Sequence, residues 1–236
     1  MILSDVAFLG APGARSRLYL QQMMRHGLLP AAALLLPPRD GAPGSGVPEA
    51  VRRHAAGLGF DLEANIRDLA EWAGIPCRVL SFPDPNHPDV VDAVGGLSQG
   101  VVIYSGPGGA ILRKPLLGTG KRFLHVHPGH VPDFRGSTTV YYSLLAENRL
   151  AASAFYIEAR IDTGPVLLRK YYDPPEDRTT LDHFHDPYVR SELLLDVLRV
   201  YAEGRELEPE TQDPGAGETY YIIHPVLKHL AILADR

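Results

Sequence analysis

Short apolar segments alternate with stretches of helical periodicity along most of the chain. Apolar runs that predict buried strands lie at residues 6–10, 31–36, 77–80, 100–104, 122–126, 153–157 and 166–171. Helical spacing of apolar residues predicts helices at residues 18–24, 62–73, 88–94 and 192–201. Strands that alternate with helices form mostly parallel sheets covered on both faces, and ligands bind beyond the carboxyl ends of those strands. The sequence therefore predicts an α/β fold with a Rossmann-like sheet.

The last part of the chain departs from this alternation. After the helix predicted at 192–201, a polar stretch with Pro and Gly runs to Gly217, and an apolar segment follows at 220–233. We predict a catalytic domain at residues 1–205 and a C-terminal extension at 206–236 that packs on it.

Two segments are predicted as loops from their composition. Residues 39–48 are rich in Gly, Pro and Ser, which is typical of a long surface loop. His183-Phe184-His185 precedes Asp186-Pro187, and this composition predicts a solvated turn.

The charge balance of the chain argues against nucleic acid as a partner. Lys and Arg total 23 against 28 for Asp and Glu, a formal net charge of -5, so no basic surface for a phosphate backbone is predicted. No apolar stretch reaches the roughly 18–20 residues that a membrane helix needs, and no charged segment precedes an apolar run near residue 1. The single cysteine, Cys77, excludes an internal disulfide and fits a reducing compartment. We expect a soluble, cytoplasmic protein with a small-molecule substrate, away from membranes.

A pair of histidines marks the candidate site. His125 and His127 stand at the end of a predicted strand, and because successive strand side chains point to opposite faces, these two share one face. Pro128 opens the strand into a loop, and a helix is predicted to begin near Thr138. Asp162 lies in a predicted turn between two later strands. An acid in such a turn can reach a neighbouring strand end.

The motif around these residues resembles that of the formyltransferase family, which includes glycinamide ribonucleotide, methionyl-tRNA and amino-sugar formyltransferases. The resemblance rests on His-x-His-Pro-Gly-x-x-Pro-x-x-Arg-Gly from His125, followed downstream by Ile-Asp-Thr-Gly-Pro at 161–165. It extends from about Ile103 to Leu168. The family normally has asparagine at the position of His125.

The resemblance implies a site, a cosubstrate and an acceptor. His127 matches the general base of the family, Asp162 its catalytic carboxylate and His125 its asparagine. The implied cosubstrate is N10-formyltetrahydrofolate, and the implied acceptor is a primary amine of a small metabolite such as an amino sugar. A homodimer is among the expected assemblies. The residues expected to bind the folate are Gly109, Ala110, Ile111, Leu112 and Ile161, and those expected to bind the substrate are Gly106, Arg135, Ser137 and Thr138.

The histidine at position 125 leaves its role open. Formyl transfer to an amine passes through a tetrahedral oxyanion, so the site needs a proton acceptor and a donor for the oxygen. Asparagine is a neutral donor, whereas His125 donates only if the nitrogen that faces the substrate carries a proton. Two imidazoles on one face disfavour being charged together, so one is predicted to be neutral near pH 7. If His125 were the charged one, it would stabilise the oxyanion and leave His127 free as a base.

Other interpretations of these residues stay open at this stage. Two histidines and a nearby carboxylate also suit Zn or Fe, which would indicate a metal-assisted hydrolase with water as the acceptor. A non-catalytic relative that binds folate or nucleotide is a further alternative. Residues 10–16 could hold a phosphate at a helix start, although a strand-to-helix turn needs glycine in any case. His130 is predicted to be structural.

Overall fold

The computed structural model describes residues 1–39, 46–213 and 215–234. Its strands are β1 (Ile2–Gly10), β2 (Leu29–Leu35), β3 (Cys77–Val79), β4 (Val101–Ser105), β5 (Arg122–His127), β6 (Phe134–Gly136), β7 (Leu150–Tyr156), β8 (Val166–Tyr172) and β9 (Glu218–Tyr220). Its α-helices are α1 (Ala14–His26), α2 (Glu49–Gly57), α3 (Ile66–Trp72), α4 (Pro88–Gly95), α5 (Lys114–Leu117), α6 (Thr139–Glu147), α7 (Asp186–Ala202) and α8 (Pro225–Leu233). A 3-10 turn at Arg178–Thr180 and a π-helical turn at Leu181–His185 lead into α7.

Seven strands form one sheet in the order β3-β2-β1-β4-β5-β7-β8. The first five of these strands run parallel, and β7 and β8 are added antiparallel at one edge. Val6 and Phe8 of β1 pack in one hydrophobic cluster with α1, α3 and α7, whereas the intervening Ala7 and Leu9 pack in a second with α4 and α5. Both faces of the sheet are therefore covered, and the predicted α/β, Rossmann-like, mostly parallel fold is confirmed.

The antiparallel edge brings β7 alongside the candidate histidines. In the β5–β7 register, Phe155 lies opposite His125 and Ser153 lies opposite His127. Residues that oppose each other across two strands project from the same face of the sheet. The fold therefore places Phe155 beside both imidazoles, at the carboxyl end of the last parallel strand.

The described part of the 206–236 range contacts the rest of the chain at several points. Glu210 bridges to Val166 of β8, β9 pairs with β6 in a separate two-stranded sheet, and α8 lies against α6. The apolar segment predicted at 220–233 corresponds to the end of β9 and to α8. The boundary between residues 205 and 206 stays a prediction.

Two predicted loops have different outcomes. Most of the predicted 39–48 loop, residues 40–45, lies outside the described residues. It is followed by α2, a helix that was not predicted from the sequence.

None of the helices in the described ranges has the length and apolar character of a membrane span.

The prediction of a solvated turn at His183-Phe184-His185 is wrong. These residues are helical and continue directly into α7, in which Pro187 occupies the first turn. Phe184 is 0% exposed and packs against Phe60 and Tyr188. Burial of this aromatic ring, rather than the Asp-Pro composition, decides the local structure.

This helical segment predicts how stability depends on pH. Burial, and to a lesser extent His54, lowers the pKa of His185 to about 4, so the native state keeps the ring neutral while the unfolded chain protonates it below about pH 6.5. The free energy of unfolding decreases with falling pH wherever the unfolded state binds more protons than the native state. The free energy of unfolding should therefore decrease as the pH falls from about 6.5 to about 4, as urea titrations would measure. His185→Gln should make this slope shallower, whereas His26→Gln, at an exposed histidine, should leave it unchanged; equal slopes for all three proteins would contradict the assignment.

Candidate functional site

His127 is held in place through one of its two ring nitrogens. Its side chain is buried, and Nε2 lies 2.8 Å from the carbonyl oxygen of Phe134. Nε2 also lies 3.2 Å from Oγ1 of Thr139, which donates its own hydrogen to the carbonyl oxygen of Pro128. Because a carbonyl oxygen only accepts, the Nε2 of His127 carries a proton. Any exchange of a proton by this histidine therefore runs through Nδ1.

Asp162 faces that second nitrogen. Its Oδ2 lies 3.2 Å from Nδ1 of His127 and accepts a hydrogen bond of 2.7 Å from the backbone amide of Gly136. The residue adopts a left-handed backbone with φ of 50°, a conformation that Asp tolerates better than most residues. The side chain is 15% exposed, so the carboxylate is shielded but not sealed. The structure thus brings together the two residues expected to be the base and the carboxylate.

Two glycines permit this close arrangement. A Cβ atom at Gly129 would lie 2.6 Å from the carbonyl oxygen of Phe134 and 2.9 Å from Nε2 of His127. At Gly164, two residues after Asp162, a Cβ atom would overlap the carbonyl oxygen of Tyr156. The glycines of the His-Pro-Gly and Asp-Thr-Gly segments are therefore required by close backbone approach.

His125 lies on the same face as His127 and is neutral near pH 7. Its ring contacts the edge of Phe155 with a centroid distance of 5.7 Å, and the His127 ring lies 6.2 Å from the same phenyl ring. Nδ1 of His125 is 3.4 Å from the carbonyl oxygen of Tyr104. Burial, followed by Arg15, Arg190 and His127, holds the pKa of His125 well below 6.5. A charged His125, one of the open alternatives, is therefore excluded near pH 7.

Arg135 is held by hydrogen bonds to the C-terminal segment. Its buried guanidinium donates to Oε1 of Gln212 and to the carbonyl oxygens of Asp213 and Ala216. Gln212 in turn donates to the carbonyl oxygens of Asp162 and Gly164. Arg135 thus anchors the segment that supports the Asp162 turn, and its substrate-binding role stays a prediction. Sequence reasoning missed Gln212, which lies in a polar stretch without periodicity.

Ser137 and Thr138 also contact the C-terminal segment. The amide of Ser137 donates to the carbonyl oxygen of Tyr220 at 2.9 Å. Oγ1 of Thr138 donates to the carbonyl oxygen of Ser137 and accepts from the amide of Ile223 at 2.9 Å. The Thr138 hydroxyl thus supports the C-terminal segment, and the substrate contacts of Ser137 and Thr138 stay predictions.

Gly106 lies at the carboxyl end of β4, where two arginines approach the site. Its carbonyl oxygen accepts from Nη2 of Arg15 at 2.5 Å, and Nε of Arg15 donates to Oγ of Ser105 at 3.0 Å. Nε of Arg190 donates to the carbonyl oxygen of Val126 at 2.8 Å. Burial, and then Arg190, lower the pKa of Arg15 to about 10. Arg15 lies in the first turn of α1, within the segment that was considered as a phosphate site, and its guanidinium is hydrogen-bonded to Ser105 and Gly106.

The residues expected to bind folate differ in their exposure. Ile111 is 57% exposed and Ile161 is 47% exposed, whereas Leu112 packs in the second core cluster and could contact a ligand only through its backbone. Asn86, which sequence reasoning missed, accepts from the Arg113 amide and donates to the Ile111 carbonyl oxygen. Gly109 and Ala110 lie in a turn in which Gly109 has φ of 72°. A separate cleft of about 500 Å³ contains none of these five residues in its lining, which is formed by Lys114, Leu117, Gly118, Lys121, Ile157, Glu158 and Ala159.

The residues that could hold a metal ion do not converge. Within the described ranges, no group of three or more His, Cys, Asp or Glu side chains could hold one. Both nitrogens of His127 already face protein groups, the Phe134 carbonyl oxygen and the Asp162 carboxylate. His130 lies 3.1 Å from Asp133 and stacks on Tyr171, away from this pair.

Comparison with known proteins gives the same family as the motif. No family model matches the sequence. Methionyl-tRNA formyltransferase of Clavibacter michiganensis is 32% identical over 192 residues, which cover 73% of this chain and 57% of that protein. The same enzyme of Clavibacter sepedonicus is 34% identical over 151 residues, 63% of this chain and 44% of that protein. The chain belongs to the formyltransferase family. It spans about half the length of these relatives.

Solved structures agree on the fold of this family member. Glycinamide ribonucleotide transformylase 1 of Symbiobacterium toebii has a TM-score of 0.61 over 89% of this chain and 95% of its own, with 15% identity. The N-formyltransferase of Helicobacter canadensis, solved with folinic acid and dTDP-3-aminofucose, has a TM-score of 0.59 over 92% of this chain and 71% of its own, with 12% identity. That His125 stands where the family has asparagine stays a prediction from the motif.

Proposed function

We propose that the protein is an N-formyltransferase that moves a formyl group from N10-formyltetrahydrofolate to a primary amine of a small metabolite, such as an amino sugar. The observation that carries this proposal is the pairing of His127 with Asp162 at 3.2 Å. In this pairing a buried imidazole and a partly exposed carboxylate face each other at the carboxyl end of the last parallel strand. Membership of the formyltransferase family supports the same reaction.

The chemistry of formyl transfer fits this pair. Attack of an amine on the formyl carbon gives a tetrahedral oxyanion, and a proton must leave the nitrogen before the bond to folate breaks. The protonated Nε2 of His127 is committed to the Phe134 carbonyl oxygen, so Nδ1 and the carboxylate of Asp162 act together. In the proposal, the carboxylate of Asp162 orients the His127 ring through Nδ1.

The cosubstrate is proposed from the family and from the exposed residues of the expected folate site. The Helicobacter canadensis structure was solved with folinic acid, a formylated folate. We place the pteridine against the exposed residues Ile111 and Ile161 and the backbone of Gly109, Ala110 and Leu112. The exposure of Ile111 and Ile161 supports this placement, since both side chains are free to contact a ligand.

The acceptor is proposed to be small and unattached to nucleic acid. The net charge of -5 supports this choice, because a tRNA backbone needs cationic surface. A sugar amine is supported by the dTDP-3-aminofucose in the Helicobacter canadensis structure. A cytoplasmic location and a homodimer stay expectations.

A screen of amines tests this function. Purified protein incubated with N10-formyltetrahydrofolate and a panel of nucleotide-linked amino sugars, free amino sugars and polyamines should give one formamide that is 28 mass units heavier than its amine, about the mass of CO. His127→Ala should abolish the product. Folded protein that gives no formamide with any amine would contradict the proposal.

Hydrolysis is a second candidate, favoured by one observation. The His125 ring is neutral and partly exposed on the face that carries His127, so a water molecule could be activated in the place of an amine. This candidate predicts stoichiometric formate release without any amine, and such release is measurable with a coupled formate assay.

A further inference from the structure

We propose that His125 is the catalytic residue that takes the proton from the acceptor amine, through Nε2, and later returns it to the folate nitrogen. The inference rests on the proposed formyl transfer, because it assigns a role within that reaction. It differs from the expectation drawn from the motif, in which His127 is the base and residue 125 only donates a hydrogen bond to the oxyanion.

The contact of His125 with β4 determines which ring nitrogen carries hydrogen. Nδ1 lies 3.4 Å from the carbonyl oxygen of Tyr104, at the end of β4. A carbonyl oxygen has no hydrogen to donate, so this contact is favourable only when Nδ1 carries the proton. A neutral ring with hydrogen on Nδ1 has a lone pair on Nε2. The side chain therefore presents a proton acceptor at the position where asparagine would present a donor.

The Nε2 atom of His125 is open to a ligand. Among the residues that the structure describes, none forms a hydrogen bond with Nε2 of His125, and the side chain is partly exposed. The rings of Tyr104 and Phe155 lie on either side, with centroid distances of 6.2 Å and 5.7 Å. The ring is thus fixed by contacts that leave one nitrogen open to a ligand.

Positively charged side chains face the His125 ring. Arg15 from α1, Arg190 from α7 and His127 from β5 all disfavour a proton on His125, as does burial, and together they hold its pKa well below 6.5. Only the Tyr104 carbonyl oxygen on β4 acts in the opposite direction. At neutral pH the lone pair on Nε2 is therefore free in nearly every molecule. A base must be unprotonated before it can act, and this environment ensures it.

His127 differs from His125 in the contacts of its ring nitrogens. Its Nε2 donates to Phe134 and its Nδ1 faces the carboxylate of Asp162, so neither nitrogen is open to an incoming amine. The two histidines differ because both nitrogens of His127 face protein groups, whereas only Nδ1 of His125 does. In the proposal, Asp162 and His127 therefore orient each other, and His125 is the base.

The proton transfers balance in this scheme. The neutral amine attacks the formyl carbon, a carbon–nitrogen bond forms, and the carbonyl electron pair moves to oxygen. Nε2 of His125 then takes one hydrogen from the positively charged nitrogen. The oxygen electron pair re-forms the carbonyl, the bond from carbon to N10 breaks, and Nε2 returns its proton to N10. The products are the formamide and tetrahydrofolate, and His125 is neutral again.

Nitrogen NMR tests the tautomer of His125 without any need for turnover. Protein labelled with ¹⁵N in histidine should show one ring at pH 7 with hydrogen on Nδ1 and a bare Nε2, and this signal should vanish in His125→Gln. His130→Gln serves as the control, since His130 stacks on Tyr171 outside the site and its loss should leave the signal in place. A hydrogen on Nε2 of His125 at pH 7 would overturn the proposal, whether or not formyl transfer is found.

Rate profiles against pH test the role in transfer. His125→Gln and His125→Asn should both lower the single-turnover rate by about 10²- to 10⁴-fold, the usual contribution of a general base. Both should also lose the acidic limb that protonation of His125 gives to the wild-type profile, whereas His130→Gln should match wild type. His125→Asn with the wild-type rate and limb would show that the histidine merely replaces asparagine. If wild type transfers no formyl group, the proposed function fails, and the NMR signal separates that failure from an error in the tautomer.

Discussion

Asp162→Asn is expected to lower the rate of formyl transfer by about 10²- to 10⁴-fold while the protein stays folded. The carboxylate faces Nδ1 of His127 at 3.2 Å, and an amide group would remove the negative charge that this imidazole faces. The fold should survive because an asparagine oxygen can still accept from the Gly136 amide. Asparagine also tolerates the left-handed backbone at this position. Single-turnover rates with saturating substrates measure the loss of activity, and circular dichroism checks that the variant is folded.

A matched control is available on the surface. Asp133 lies 3.1 Å from His130, so Asp133→Asn makes the same chemical change beside another histidine, with the carboxylate about half exposed. Its rate should stay within about twofold of wild type, which corresponds to roughly 0.4 kcal/mol in activation free energy. Equal losses in the two variants would assign the effect to general electrostatics. Full activity of Asp162→Asn would remove Asp162 from the mechanism.

Arg135→Met is expected to lower the free energy of unfolding by about 2–4 kcal/mol, because each buried acceptor left without a partner costs about 1–3 kcal/mol. The substitution keeps a long apolar side chain but strips donors from Oε1 of Gln212 and from the carbonyl oxygens of Asp213 and Ala216. Gln212 also holds the Asp162 turn, so the folded variant should transfer formyl groups more slowly. Urea unfolding followed by fluorescence measures the stability.

The control for this change is an arginine on the surface of α7. Arg199 forms an exposed ion pair with Asp196, and such pairs contribute about 0–1 kcal/mol. Arg199→Met should therefore leave both stability and rate close to wild type. If Arg135→Met is as stable as Arg199→Met, the hydrogen bonds of Arg135 do not hold the C-terminal segment in place.

The parts of the structure that follow from local periodicity could be predicted from the sequence. The strand that ends at His127 is visible as an apolar run, and the alternation of strand side chains is enough to place His125 and His127 on one face. The reach of Asp162 to this strand end followed from a turn between two strands. These inferences need only the neighbours of each residue along the chain.

The parts that depend on distant contacts could not be predicted. Gln212 supports Asp162 across 50 residues, and nothing in its own sequence neighbourhood indicates a buried position. The charged groups around His125 come from α1 and α7, far apart in the chain, so the sequence left open which histidine is neutral. Phe184 was misassigned for the same reason, since its packing partner Phe60 lies on a distant segment. Tertiary packing overrides local composition at each of these positions.

The most direct test of the account follows the formyl group itself. Protein incubated with folate that carries a deuterium-labelled formyl group, and with the panel of amines, should give one labelled formamide for each tetrahydrofolate released. No labelled formate should appear above the level of the enzyme-free reaction. Label recovered as formate in the presence of the amine, with no labelled formamide, would contradict formyl transfer and identify the protein as a hydrolase.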